Sequence, residues 1–460
     1  MSIKGCLLWA VAPFVLLLST GDGLATSLEE TIQAALETNP EVGVVQADRK
    51  AIDQELRQAR AGYFPSIDLR GAVGPEYSNN PSTRNQADGD SATTLMRYES
   101  QLTLSQMLFD GFATPSEVER QKARIDSASY RVAEAAEFIA LDATEAHLDV
   151  LRNQELVELA RENVAEHRRI LDRVERLERE GGGSIADVRQ AEARVAAADS
   201  ALATAIGNLR DSQARYISVV GATPQSLEPP MVPVQAVPES GEVAAARAGV
   251  NSPTVQIATA DIEVSQAELQ GSRAGYYPRL DLELGTGANR NIDGVRGGDV
   301  DAQALLVVRY NLFRGGADIA REREAFERLR EAREQLSLVR REAEEEARLA
   351  YNARVTARAR VEALRAEAEA QRATRDAYAQ QFILGQRSLL DLLDAENQLF
   401  IARSNLTTAE YTERFAVYRM LTVLGDLLLT LDIDRPKEAI NIYRARQEPI
   451  QETSPTATAN

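Results

Sequence analysis

The chain reads as an α+β membrane protein in which long coiled-coil rods run on into transmembrane antiparallel strands, the whole built twice over. Three observations carry that reading. From Ser116 to Val220 the sequence is one amphipathic helical run, broken only at Gly181-Gly182-Gly183. Four alternating apolar/polar stretches, each long enough to cross a bilayer when tilted, stand in two pairs. The order of these parts repeats at a fixed spacing.

Upstream of the glycines two rows recur every seven positions. One is Ala143, Val150, Val157, Val164, Leu171 and the other Ile139, Ala146, Asn153, Ala160, His167, Val174. Rows alternating by three and four form the seam of a left-handed coiled coil. About 65 helical residues reach about 100 Å, far more than one compact core needs. The glycine triplet predicts a turn, after which Ile185 to Val220 doubles back.

Taken in order, residues 1–25 read as a secretory leader. Lys4 precedes an apolar stretch from Cys6 to Leu18, and Gly23-Leu24-Ala25 offers a small-residue cleavage site. Cleavage there removes the single cysteine, so disulfides and thiol chemistry are excluded. No later apolar run is long enough for a spanning helix, so any membrane entry must be through strands.

A helical segment, about Ser27 to Ala61 with a break at Asn39-Pro40, ends at Ala61-Gly62-Tyr63-Phe64-Pro65. Ile67, Leu69 and Val73 then alternate with polar or small neighbours. Met96, Tyr98, Leu102, Leu104 and Leu108 form one row of the next strand, and Arg97, Glu99, Gln101, Thr103 and Ser105 the other. Glu76 to Thr93 between them is a polar loop by composition.

The second half answers part by part. Arg273-Ala274-Gly275-Tyr276-Tyr277-Pro278 lies 213 residues after Arg60-Ala61-Gly62-Tyr63-Phe64-Pro65. Leu280, Leu282 and Leu284 begin the third strand; Gly287 to Asp301 reads as a loop; Ala302, Ala304, Leu306, Val308 and Tyr310 form the outward row of the fourth. From Leu312-Phe313-Arg314-Gly315 the spacing is 204, so the first loop region is nine residues longer. The boundaries expected are a repeat over 26–222, a proline-rich linker over 223–241, a second repeat over 242–431, and a C-terminal segment over 432–460 ending in a disordered tail. Four strands cannot close a barrel, and lipid does not tolerate a free edge, so the chain must oligomerise.

A formal net charge of −18 without a separate basic patch excludes a nucleic-acid partner. The two histidines, His147 and His167, stand too far apart on one rod to share a metal. Gly181 to Ser184 lacks the lysine of a phosphate loop. Neither a nucleophile with its base nor a metal cluster is visible, so no enzyme and no cofactor is expected. Tyr63, Phe64, Tyr276 and Tyr277 precede strands and suit either an interfacial aromatic girdle or packing where helix turns into strand.

The leader, the duplicated order and the paired Ala-Gly-Tyr-[Phe/Tyr]-Pro and Leu-Phe-[Asp/Arg]-Gly motifs together resemble the TolC-like outer-membrane efflux family, over about Ser27 to Leu431. The resemblance implies a homotrimer, with a twelve-stranded barrel in the outer-membrane lipid of a Gram-negative cell and a twelve-helix periplasmic tunnel. It implies a passive exit duct opened by a periplasmic adaptor (membrane fusion) protein and an inner-membrane ABC or RND transporter. Within the family the wording is similar to the type I protein-secretion branch. The outer component of a drug or metal efflux pump is the alternative, and a non-channel coiled-coil envelope protein a third reading. Asp391 and Asp394 match the family's constriction rings, and Arg387 and Asp187 a link between inner and outer coils. Phe382 stands where the family has a tyrosine in that clamp. Gly181, Ser184, Gly385 and Ser388 match the tips that adaptors meet.

Overall fold

The computed structural model describes residues 26–84 and 92–443. The secretory leader and the C-terminal tail expected from sequence lie outside the described residues. The elements run α1 (Leu28–Thr38), α2 (Pro40–Ala61), β1 (Ser66–Ser78), α3 (Pro81–Arg84), β2 (Thr93–Phe109), α4 (Ala113–Arg179) and α5 (Ile185–Val220). They continue with α6 (Gly241–Asn251), α7 (Pro253–Ser272), β3 (Arg279–Arg290), β4 (Gly298–Arg309), α8 (Ala317–Ile383), α9 (Leu389–Leu424) and α10 (Leu427–Thr430). Both long helices have 67 residues and both returning helices 36.

The coiled-coil rows read from the sequence are the buried face of α4. Ala143, Val150, Val157, Val164, Ile139, Ala146, Asn153, Ala160, His167 and Val174 are all buried, and Leu171 partly so. Asn39 caps α2 and Pro40 opens it, which ends α1 at the predicted break. Here α1 and α2 stack on the end of α5. Thr38 Oγ1 donates to the Val220 carbonyl at 2.8 Å and Asn39 Nδ2 to that of Val219 at 3.2 Å. The short helices and α5 thus form one column alongside α4. At the sheet end α4 packs between α2 and α7, with α8 beyond α7; at the far end it packs between α5 and α9, with α8 beyond α9.

A girdle midway along the rods holds the main core, where Leu28 and Ile32 of α1 meet Ala140 and Ala143 of α4, Tyr216 of α5, Tyr418 of α9 and Leu427 and Leu428 of α10. The proline-rich linker is tied to it at two points. His147 Nε2 donates to the Glu228 carbonyl at 2.9 Å, and Tyr351 Oη to that of Glu239 at 3.0 Å. Position 351 lies 204 residues after 147, so the two long helices use the same site for the same task. The linker is not extended throughout, because Val234–Ala236 forms a 3₁₀ turn. Beyond α10 the chain returns across α4 and α2. There Arg435 meets Glu137 at 3.0 Å, Lys50 meets Glu438 at 2.9 Å, and Asp126 accepts from the Tyr443 amide at 3.2 Å.

The four strands form one antiparallel sheet in the order β1-β2-β3-β4, leaving β1 and β4 as free edges. Ile67 faces Leu104, Leu104 faces Leu284, and Leu284 faces Ala304, so all four apolar rows lie on one side of the sheet. Leu69 and Leu306 on that side are 76 % and 62 % exposed, an apolar face that nothing in the protomer covers. The other side is polar and cross-linked. Arg309 bridges Asp281 and Glu283, both at 2.7 Å, and Arg97 engages Glu76 and Glu99.

Three strand details differ from the sequence reading. The segment Gly287 to Asp301 is not all loop, since Gly287 pairs with Asp301 and Arg290 with Gly298; the ladder overrides a turn-like composition. For the same reason Glu76 to Ser78 belong to β1. A bulge between Met107 and Phe109 also breaks the alternation at Leu108, so Phe109, not Leu108, continues the apolar row opposite Leu280. No described helix is long and apolar enough to cross a membrane.

Candidate functional site: the helical tips

At the end far from the sheet the two helical hairpins turn in the same way. Gly181 follows α4 with φ +78° and Gly385 follows α8 with φ +69°, the left-handed conformation that glycine adopts without a Cβ penalty. The Gly182 amide donates to the Leu177 carbonyl and the Gln386 amide to that of Gln381, both at 2.9 Å. These six-to-one bonds close the open carbonyls of each long helix.

Ser184 and Ser388 then cap the returning helices. Ser184 Oγ accepts from the Ala186 amide at 3.1 Å, and Asp187 Oδ2 accepts from the Ser184 amide at 3.3 Å. Ser388 Oγ accepts from the Asp391 amide at 3.2 Å and donates to Asp391 Oδ2 at 2.9 Å. Asp187 and Asp391 are therefore third residues of capping motifs, each held against its own serine near a helix N-terminus that favours negative charge.

Arg387 stays within its own hairpin. Its Nε donates to Gln381 Oε1 at 3.1 Å, its Nη1 lies 3.8 Å from Asp391, and its guanidinium sits 4.1 Å from the centre of the Tyr378 ring. Among the described residues no hydrogen bond or ion pair joins Arg387 to Asp187. Tyr378, one turn before Phe382, supplies the aromatic partner that position 382 would otherwise offer. Phe382 packs instead on an apolar cluster of Ile170, Val174, Val188, Leu389, Leu392 and Leu393, which binds the two hairpins together at the tip.

The sequence reading missed the charged seam between the hairpins. Asp394 is bonded by Arg194 of α5 at 2.5 Å, so both matched aspartates have a cationic neighbour, Arg387 standing 3.8 Å from Asp391. Further from the tip Arg403 of α9 meets Glu162 of α4 at 2.7 Å. Glu396 is buried against Arg375 at 3.0 Å, and burial pushes its carboxyl above the usual carboxylate range although Arg375 opposes the shift. A signal for Glu396 exists: it continues the row Leu389, Leu392, Leu393, where a carboxylate at apolar spacing marks a buried acid. Arg194 offers none, because its partner lies 200 residues away.

None of these groups forms a metal cluster; among the described residues no three His, Cys, Asp or Glu side chains stand close enough to hold an ion. What the arrangement offers is a charged end of a helical wall, opposite a sheet with one apolar face.

A family model described as "Outer membrane efflux protein" matches residues 31–222 and 245–426, the two repeats. The chain is 26 % identical over 420 residues to the outer membrane efflux protein BepC of Brucella suis, covering 90 % of each chain. It is 25 % identical over 450 residues to the alkaline protease secretion protein AprF of Pseudomonas aeruginosa, covering 93 % of this chain and 90 % of that one. Its fold matches the crystal structure of CusC with a TM-score of 0.74 at 16 % identity, over 88 % of this chain and 95 % of the other. Two matched repeats on a shared helix-and-strand frame make the chain a member of the outer membrane efflux protein family, an outer-membrane channel protein of Gram-negative bacteria and not an enzyme.

Proposed function

We propose that this channel is the passive exit duct of a type I protein-secretion system, assembled from three copies and opened at its helical tips by a periplasmic adaptor and an inner-membrane transporter. The likeness to AprF, whose name is that of a protease secretion protein, spans nearly the whole chain and carries this reading. The uncovered apolar face of the sheet and its two free edges support insertion as part of a larger barrel. Similar likeness to BepC supports the second reading, the outer component of a drug or metal efflux pump. The two part in one assay: a strain deleted for this chain loses export of a large secreted protein under the first, and gains dye or metal sensitivity with secretion intact under the second.

In this reading Asp391 and Asp394 line the periplasmic constriction, and Gly181, Ser184, Gly385 and Ser388 meet the adaptor. Three copies bring six carboxylates to one mouth, which concentrates cations. The two rings are held differently, Asp394 by Arg194 of the other hairpin and Asp391 by Ser388 and Arg387 of its own. In planar bilayers, block by multivalent cations from the tip side falls in both Asp391→Asn and Asp394→Asn, and Arg194→Ala strengthens it. Arg387→Ala raises the resting conductance by loosening the turn it braces through Tyr378 and Gln381. Cation block unchanged in the double aspartate variant removes these residues from the pore.

A further inference from the structure

The outer ends of the two hairpins are not alike. Tyr77 with Thr94 and Arg290 with Gly298 are corresponding ladder pairs, but the connection beyond the first is nine residues longer. The longer connection holds the shorter one. It adds a ladder pair, Ser78 with Thr93, and turns at Asn80 into α3. Asn80 Oδ1 accepts from the Thr83 amide and Thr83 Oγ1 from the Asn80 amide, both at 3.0 Å, a reciprocal cap that fixes the Asn80 side chain. Its Nδ2 is thereby set to donate across to the Asp293 carbonyl of the other connection, at 2.8 Å. Asn291 Nδ2 donates to the Met96 carbonyl at 2.9 Å.

The turn held in this way, Ile292–Gly294, has a backbone that its sequence does not favour. Asn291, Asp293 and Gly294 all have left-handed φ, at +57°, +50° and +76°, a conformation that costs energy wherever a Cβ is present. Gly294 is buried at the very end of the sheet together with Thr83 and Ser78. A Cβ on Gly294 would overlap Thr83 and stand 2.9 Å from the Ser78 Cβ and 3.0 Å from Thr93 Cγ2. Ser78 and Thr93 lie in step with Glu76 and Arg97, on the polar side of the sheet. The turn is therefore folded over the polar side and does not prolong the plane of the strands.

We infer that this clasp is a closure of the exit, separate from the helical tips: each Ile292–Gly294 turn stands in the outer mouth, latched by Asn80 and Asn291 and seated through Gly294, and outgoing cargo displaces it. This rests on the assembled-duct reading, in which the polar side of the sheet lines the water-filled interior. A turn seated on that side takes up room in the mouth, whereas a turn in the plane of the strands would only lengthen the wall. The holds that join it to the first hairpin are side-chain amides on carbonyls and a small buried contact, far weaker than the ladder below. The left-handed backbone keeps its shape only while those holds stand, so the turn is the part of the outer end poised to give way.

Access from outside the cell tests the closure. Thr103→Cys, on the polar side and deeper in the sheet, is labelled in intact cells with a small maleimide and with a maleimide carrying a bulky polyethylene glycol. The small reagent labels the otherwise unaltered chain and the clasp variants alike, which also shows that the variants are folded and assembled. The bulky reagent labels at least tenfold faster once Asn80→Ala and Asn291→Ala, or Gly294→Ala alone, release the turn. Equal bulky labelling with and without the clasp removes the turn from the mouth and overturns the inference. Ser78→Cys with Gly294→Cys then asks whether the turn must move: oxidation lowers export of a large secreted protein at least tenfold and a reductant restores it. Export indifferent to that lock makes the turn a fixed rim and overturns its role as a closure. Failure of even the small reagent to reach Thr103→Cys overturns the duct reading itself.

Discussion

Helices α4 and α8 have the same length and the same place in their repeats, yet 30 residues of α4 are buried and only six of α8. The returning helices show the opposite order, with six buried in α5 and 17 in α9. Position explains both. At the far end the helices stand in the order α5, α4, α9, α8, so α4 and α9 are inside the row and α5 and α8 are its ends. At the sheet end α8 is again terminal, beyond α7. Helices of equal length and equal place in their repeats thus meet unequal surroundings, and the exposed side of α8 is the side that a second copy would cover.

The largest test of this contrast is at Glu137. Its carboxylate is buried in α4, accepts from the Leu427 and Leu428 amides and pairs with Arg435. Glu137→Ala leaves those donors without a partner and lowers stability by about 3 kcal/mol. Arg341, its counterpart on α8, is exposed, and Arg341→Ala changes stability by less than about 0.5 kcal/mol. Denaturant unfolding in detergent compares the two, and equal losses would dissolve the contrast.

Next is the bare side of α8 itself. Leu151 is 7 % exposed while its counterpart Val355 is 49 % exposed. Val355→Glu keeps the helix content of the chain but shifts the assembled form toward monomer at least tenfold, about 1.4 kcal/mol in the assembly equilibrium. Sedimentation and circular dichroism read the two quantities separately. An assembly that tolerates the glutamate would place Val355 away from any joint.

Smaller, and equal in both halves, are the tip glycines. Neither Gly181 nor Gly385 has an atom within 4 Å of its Cβ position, so alanine there meets no clash and only the left-handed backbone resists it. Each substitution costs about 1 kcal/mol by thermal unfolding. A difference between them would show that the tips, unlike the helices, are not equivalent.

The smallest effect is one of pH. Burial holds the His147 imidazole below its usual 6.5, although its bond to the Glu228 carbonyl opposes the shift. The unfolded chain therefore takes up the proton first as pH falls. The stability contributed by the neutral ring is complete above about pH 6.5 and drains as pH falls toward the folded value. Melting temperatures at pH 7 and pH 5 differ less in His147→Gln than in the parent. Tyr351→Phe, which removes only the bond to Glu239, lowers both equally.

The periodic features were legible before the structure: the seven-residue rows, the glycine turns, the offsets and the strand phase all reappear as buried faces, caps and ladders. What was not legible depends on partners distant in sequence. Gly287 and Asp301 look like loop because composition reports local preference, whereas their pairing is tertiary. The bulge at Leu108 is set by how β2 meets β3. At the tip, resemblance singled out Asp391 and Asp394, but could not show that Arg194 holds one of them and Ser388 the other.

The nine additional residues of the first repeat fall between Ser78 and Thr93, past the last paired positions of the hairpin. The halves thus differ in length outside the ladder. Residues added outside the ladder turn no strand side chain, whereas a single residue added within a strand would exchange every lipid-facing and water-facing position beyond it. The outermost loops are then the part of the gene in which insertions can accumulate, and the part where an epitope tag or a fused reporter peptide can be carried without disturbing the wall beneath.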